Sequence, residues 1–214
     1  MAFPIILSSP SGGGKTTIAQ KLLAARRDLG YSVSATTRPP REGEVDGRDY
    51  HFRSVRDFKK GQVAGEFAES AEVHGHLYGT LRAEVDRVLA SGKHVIMDID
   101  VQGTRQFAAA FPDSVLIFIL PPSAKALIAR LEARGSEDTK SLIRRFRSAI
   151  DELKAIDLYK YVVVNDEVDS AVEAISSIIE AEGLSRSRDG ALDARVRDLM
   201  TGIQRAIDHY SARK

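Results

Sequence analysis

The stretch SSPSGGGKTT, Ser8 to Thr17, decides the fold reading. It follows the apolar run Phe3-Pro4-Ile5-Ile6-Leu7, which reads as a buried strand. It precedes Ile18-Ala19-Gln20-Lys21-Leu22-Leu23, which reads as a helix. Strand, glycine-rich loop and helix form the context of the phosphate-binding pattern G-x-x-x-x-G-K-[ST], whose backbone N–H groups wrap a nucleotide's phosphates. Gly14-Lys15-Thr16 supplies its end: Lys15 for the β/γ-phosphates, the Thr16 hydroxyl for Mg²⁺. The helix then aims its N-terminus at the anion. The first glycine of the pattern falls on Ser9. A glycine-rich hairpin would explain the glycines but not the placement of Lys15 and Thr16.

Working outward, the 214 residues suit one domain or a domain with inserted parts. Net charge is +1, which gives no argument for a nucleic-acid or membrane partner. Cysteine is absent, which excludes disulfides, thiolate zinc sites and cysteine nucleophiles. No apolar run approaches the ~18–20 residues of a membrane span, and residues 1–30 lack a signal-peptide pattern, so a cytoplasmic protein is expected.

Further buried strands are expected at His94 to Asp100, Val115 to Leu120 and Tyr161 to Val164, each apolar enough to be covered on both faces. Helical patterns cover Leu81 to Leu89, Ala124 to Arg134, Ser141 to Leu158 and Asp169 to Glu182. This alternation predicts an α/β fold: a P-loop NTPase-type parallel sheet flanked by helices. Residues 31–80 break the rhythm. Tyr31 to Ser34, Tyr50 to Phe52 and Phe67 to Val73 read as strands of a small β-rich insertion. After a flexible-looking joint, Ser185 to Gly190, residues Leu192, Val196, Leu199, Ile203, Ile207 and Tyr210 mark one face of an amphipathic helix. That face suits packing on the body or on a second copy.

The insertion offers a second anion site. Arg38 and Arg41 stand on the proline-stiffened segment TRPPR, where guanidinium groups can take a phosphate bidentately. Tyr50 and Tyr78 add hydroxyl donors. A carboxylate at Glu69 would accept from both N1 and N2 of guanine, a donor pair that adenine lacks.

Taken together, SVSATTRPPREGEVDGRDYHF (Ser32 to Phe52), EFAESAEVHGHLYGT (Glu66 to Thr80), DIDVQG (Asp98 to Gly103), FILPPS, RLEARG and VVVND resemble the guanylate kinases, in order, over about residues 3–182. The resemblance implies ATP + GMP ⇌ ADP + GDP with Mg²⁺, within purine nucleotide metabolism and GMP recycling, with dGMP as a further acceptor. It implies an ATP site of Ser8, Ser9, Pro10, Ser11, Gly12, Gly13, Gly14, Lys15, Thr16, Thr17, Arg130, Arg134 and Asn165, the last edging the adenine pocket. It implies a GMP site in which Ser34, Glu69 and Thr80 read guanine and Arg38, Arg41, Tyr50 and Tyr78 hold the phosphate, with Asp98, Asp100 and Gly103 beside them. Thr16 and Asp98 would serve Mg²⁺, partly through water. Asp98 and Asp100 read as the end of one strand, and the residues alone do not divide the Mg²⁺ and GMP roles between them. Lys15, Arg38, Arg134 and Arg145 would carry catalysis, by position and charge rather than by a protein nucleophile.

The implied layout is a guanylate-kinase-like domain over 1–184 and a helical extension over 185–214. Within the domain, the core spans 1–33 and 81–184, the GMP-binding insertion about 34–80 and a helical lid about 130–150. The extension is the candidate contact of a homodimer. Two other function classes stand beside this one. A catalytically silent, peptide-binding scaffold domain would not keep the phosphate loop, and a sugar-phosphate kinase would not need Ser34, Glu69 and Thr80. His74-Gly75-His76 lacks a third ligand at metal spacing.

Overall fold

Burial on both faces organises the main sheet. In a computed structural model of the protein, which describes residues 1–73, 75–133 and 139–211, β1 (Pro4–Ser8) is buried at every residue. It lies between two parallel neighbours, β7 (His94–Asp98) and β8 (Val115–Leu120). The five-stranded order is β2-β7-β1-β8-β9, all parallel, with β2 at Leu29–Tyr31 and β9 at Tyr161–Val164. Leu7 pairs with Asp98, so the phosphate loop and the acidic end of β7 leave the sheet side by side. Such carboxyl ends are where open parallel sheets bind ligands.

A second sheet runs in the order β4-β3-β6-β5: β3 (Ala35–Thr36), β4 (His51–Phe52), β5 (Phe67–Val73) and β6 (His76–Leu81). It has its own small core of Ala35, Phe58, Phe67 and Leu81, with Phe58 and Phe67 stacked 4.3 Å apart. The main core gathers Ile6, Val95, Phe107, Leu116 and Phe118, among others. A third cluster, Leu127, Leu131 and Ala149, joins α5 (Ala124–Ala133) to α6 (Thr139–Leu153).

The sequence reading differs from the structure at several points. Tyr31 belongs to the main sheet, in β2, and the chain has left that strand by Ser32. β7 stops at Asp98, and Asp100 is instead the N-cap of α4 (Val101–Ala110), accepting from the Gly103 N–H at 2.7 Å. α4 escaped notice because a glycine and two β-branched residues weaken its propensity; its cap and its buried face (Val101, Gly103, Thr104, Phe107) define it. α2 (Val55–Val63) was missed too, although Ser54 caps it by accepting from the Asp57 N–H. β9 is an edge strand with Val162 and Val164 exposed, not a doubly covered one. The helix expected up to Leu158 ends at Leu153, and a 3-10 turn covers Ile156–Leu158. The remaining helices, α1 (Lys15–Ala25), α3 (Arg82–Ala90) and α7 (Val168–Gly183), lie where the pattern predicts.

The chain divides into two units, Ala2–Ser176 and Met1 with Ser177–Lys214. Both sheets belong to the larger. In the smaller, the joint at Ser185 to Gly190 contains a 3-10 turn, Arg186–Arg188, rather than a structureless link, and Arg188 pairs with Glu182 at 3.3 Å. α8 (Leu192–Ser211) exposes Val196, Leu199, Met200 and Ile203. No helix among the described residues is long and apolar enough to cross a membrane.

Phe58 is fully buried in the small core. Phe58→Ala should therefore cost about 3–5 kcal/mol of stability. A chemical-denaturation curve within about 1 kcal/mol of wild type would show that the insertion does not depend on that core.

Candidate active site

The loop between β1 and α1 is built around its backbone. Gly12 and Gly14 take φ of 84° and 94°, left-handed conformations that favour glycine. Gly14 is the N-cap of α1 and gives no side-chain hydrogen bond, and the first turn carries no acid. The N–H groups at that end therefore face a cavity of about 200 Å³ lined by residues 9–16 and Glu152, open to an anion.

Ser9, in place of the pattern's glycine, is buried, and its hydroxyl donates to the Pro10 carbonyl at 2.8 Å. A Cβ on Gly13 would lie 2.5 Å from the Ser9 side chain and 3.0 Å from the Pro10 carbonyl, so both favour glycine at 13. Ser8 points inward, its hydroxyl donating to the Ile99 carbonyl and sharing a hydrogen bond with Thr104. Its side chain thus supports the loop from behind. Lys15 Nζ donates to the Ser9 carbonyl at 3.2 Å, and Thr17 is exposed.

Asn165 is 1% exposed, and its amide donates to the Gly13 carbonyl at 2.8 Å. Its side chain therefore holds the phosphate loop through the amide, while its buried Oδ1 has no hydrogen-bond partner. Arg130 donates from Nη2 to the Asn165 carbonyl at 3.2 Å, while its buried Nη1 has no hydrogen-bond partner. Arg134 and His74 lie outside the described residues. Arg145, Ala149 and Glu152 recur at four and three residues and so share one face of α6. From that face Glu152 accepts from the Ser11 N–H at 3.0 Å. Burial pushes the Glu152 carboxyl above its ordinary value against the opposing pull of Ser11 and Lys15. Nothing in the sequence reading singled it out.

A second cavity of about 220 Å³ opens next to the first. Ser34, Tyr50, Glu69, Tyr78, Thr80, Asp98 and Asp100 all line it, as does Tyr31, which the sequence reading passed over. Glu69 lies across the β5–β6 ladder from Thr80, whose hydroxyl donates to its carboxylate at 2.7 Å. Burial, aided by the charge of Asp100, raises the Glu69 pKa against the hydrogen bonds from Thr80. Gly103 contributes absence: a Cβ there would lie 2.9 Å from the Glu69 carboxylate and 2.5 Å from Ile99.

Arg38 lies over the rings of Tyr50 and Phe52 at 5.4 and 5.8 Å. Its guanidinium donates to Glu44 at 2.7 Å and holds that carboxyl below its usual range. Glu44 also accepts from the Arg41 N–H, leaving the Arg41 side chain exposed. Glu44, another residue absent from the sequence reading, thus ties both arginines of the TRPPR segment.

The two cavities meet at one hydrogen bond. Thr16, on the first, donates to Asp98, on the second, at 2.8 Å. A hydroxyl and a carboxylate oxygen so placed fit Mg²⁺, which takes oxygen ligands and leaves the rest of its shell to water and phosphate.

The family model described as "Guanylate kinase" matches residues 1–182. The chain is 45% identical over 194 residues to a guanylate kinase of Caldanaerobacter subterraneus subsp. tengcongensis, covering 91% of this chain and 94% of the relative. It is 48% identical over 200 residues to one of Rhodopseudomonas palustris, covering 93% and 91%. Among solved structures, the guanylate kinase from Anaplasma phagocytophilum superposes with a TM-score of 0.72 at 32% identity, over 90% of this chain and 92% of that one.

The position of Asn165 sets a test. Asn165→Ala leaves the Gly13 carbonyl without its partner, so KM should rise roughly tenfold for ATP and equally for GTP offered as donor. A change in the ATP-to-GTP preference would instead put Asn165 at the base.

Proposed function

The chain belongs to the guanylate kinase family and is an ATP:GMP phosphotransferase, and we propose that the two cavities joined by Thr16 and Asp98 divide that reaction between them. The observation that carries this reading is the Thr16–Asp98 hydrogen bond, which sets the phosphate loop beside the carboxylate-lined cavity. ATP occupies the first cavity, its phosphates taken by the loop N–H groups, Lys15 and the N-terminus of α1. GMP occupies the second, its guanine N1 and N2 donating to Glu69, with Ser34 and Thr80 completing the edge. Its phosphate is held by Tyr50, Tyr78, Arg41 and Arg38, the last shared with Glu44.

An oxygen of the GMP phosphate attacks the γ-phosphorus of ATP. The new P–O bond forms as the bond to the β,γ-bridging oxygen breaks, and that oxygen leaves on ADP. No side chain becomes covalently bound. Lys15 and the arginines, Arg134 and Arg145 among them, stabilise charge on the transferring group, and the folded site fixes the in-line approach. Mg²⁺, when bound, neutralises phosphate charge. Thr16 and Asp98 are the residues that would hold it, partly through water, which leaves Asp100 on the guanine side against Glu69.

The residues about 34–80 serve as the acceptor part and about 130–150 as the lid, with the extension from 185 separate. The exposed face of α8 is the candidate contact for a homodimer, and a sedimentation-equilibrium mass of one chain at micromolar protein would remove it. The bacterial relatives and the nucleotide substrates support a cytoplasmic location.

The test is a panel of acceptors. With Mg-ATP, GMP and dGMP should yield ADP and the nucleoside diphosphate, and AMP, UMP, CMP and ribose phosphates should yield little. Turnover of a sugar phosphate alone would keep the phosphate loop but discard the guanine reading.

Acid sensitivity follows from Glu69. Guanine needs the carboxylate, and the raised pKa means that protonation begins above the ordinary glutamate value of 4.5. KM for GMP should therefore rise as pH falls through that range, while Glu69→Gln should start with a high KM and lose this limb. Parallel pH profiles for the two proteins would assign the limb to another group.

A further inference from the structure

We propose that Gln106 is a positioning residue for the acceptor: a side chain that stands in for a neighbouring strand and fixes the register of the guanine-reading one. β5 is the last strand of its sheet, so one edge of its backbone faces away from β6. At Ser70 that edge is met by Gln106 from α4. Its Oε1 accepts from the Ser70 N–H at 3.1 Å, and its Nε2 donates to the Ser70 carbonyl at 3.3 Å. Both backbone groups of one residue are thereby paired by one amide, as a strand partner would pair them. Ser70 is the residue after Glu69. The Ser70 hydroxyl in turn accepts from Gln62 of α2 at 2.9 Å.

The rest of the same helix face explains why the clamp sits there. Asp100, Gly103 and Gln106 are spaced three residues apart and share one side of α4. Asp100 lines the acceptor cavity beside Glu69, and Gly103 leaves the room that the Glu69 carboxylate fills. Gln106 then anchors the backbone that carries that carboxylate. Across the ladder, Thr80 fixes the head of Glu69 at 2.7 Å. Glu69 is thus located at its oxygen by β6 and at its backbone by α4. Gln106 is exposed and each of its hydrogen bonds is open to water, so the clamp adds little to global stability. Its effect lies in geometry: a carboxylate that must accept two parallel N–H bonds tolerates little displacement. Either an aspartate, too short to reach, or an alanine would let β5 shift against α4.

This inference rests on Glu69 as the guanine reader, and its test separates the two claims. Steady-state kinetics at saturating ATP compare GMP with inosine monophosphate, which keeps the N1–H donor but lacks the N2 amine. In Gln106→Ala, KM for GMP should rise roughly fivefold and the preference for GMP over inosine monophosphate should shrink, with kcat, KM for ATP and the melting temperature close to wild type. Gln106→Glu, which keeps the acceptor but sets a carboxylate oxygen against the Ser70 carbonyl, should match the alanine variant. Adding Gln106→Ala to Glu69→Gln should cost no more than Glu69→Gln alone. The proposal falls if Gln106→Ala leaves KM for GMP within twofold of wild type. It falls equally if GMP, ATP and kcat all worsen together with a lowered melting temperature, which would mark a general packing role. If Glu69→Gln leaves the GMP preference unchanged, the reading of Glu69 fails first and takes Gln106 with it. If Glu69→Gln collapses the preference and Gln106→Ala does not touch it, only the clamp is wrong.

Discussion

The site hangs on one hydrogen bond, from the Thr16 hydroxyl to the Asp98 carboxylate, and on the strand register that permits it. β1 and β7 are parallel neighbours because both are apolar enough to be buried in the sheet. Their alignment, Leu7 against Asp98, is therefore set by core packing rather than by the polar groups at the strand ends. A slip of one residue would turn the Asp98 side chain to the other face and separate the phosphate loop from its carboxylate. Chemistry at the top of the sheet is thus positioned by methyl groups beneath it.

The cleft above that bond is richer in negative charge than a site for two phosphate-bearing nucleotides would suggest. Glu69 and Glu152 both have pKa values raised by burial, with Asp100 adding to each. Each acid has a specific partner: Thr80 for Glu69, the Ser11 N–H for Glu152 and the Gly103 N–H for Asp100. Desolvated carboxylates are costly, but they reject ligands that cannot donate to them. Under the proposed reading, the buried carboxylate of Glu69 trades some stability for discrimination at the base. Under the same reading, Arg38 and Lys15 supply the opposing charge for the phosphates.

Much of this could be read from the sequence because it is local. The phosphate loop lies in ten consecutive residues, and four of the five strands of the main sheet announce themselves as apolar runs, the short β2 (Leu29–Tyr31) being the exception. Seven of the residues assigned to the acceptor line one cavity, since a motif carries side chains whose spacing already encodes the turn between them. What escaped depends on long-range contacts. Glu152 is 141 residues from Ser11, and Gln106 is 36 from Ser70. Neither belongs to a pattern of its own. The contact of Asn165 with the phosphate loop is equally long-range, since its amide reaches a carbonyl 152 residues away at Gly13. Asp100 was read as strand because DID continues an apolar run, whereas its capping bond to Gly103 starts a helix.

Ser9 and Gly13 show how the loop constrains its own history. The serine side chain occupies the space that any Cβ at position 13 would need. Of the two single-step routes toward a loop with glycine first and a larger residue at 13, the one that changes Ser9 first removes the 2.5 Å overlap and leaves the 3.0 Å approach to the Pro10 carbonyl to be relieved. The other passes through an intermediate with two side chains in one place. The two positions are thus an ordered pair in sequence space, and the tolerance of one is set by which residue the lineage already holds at the other.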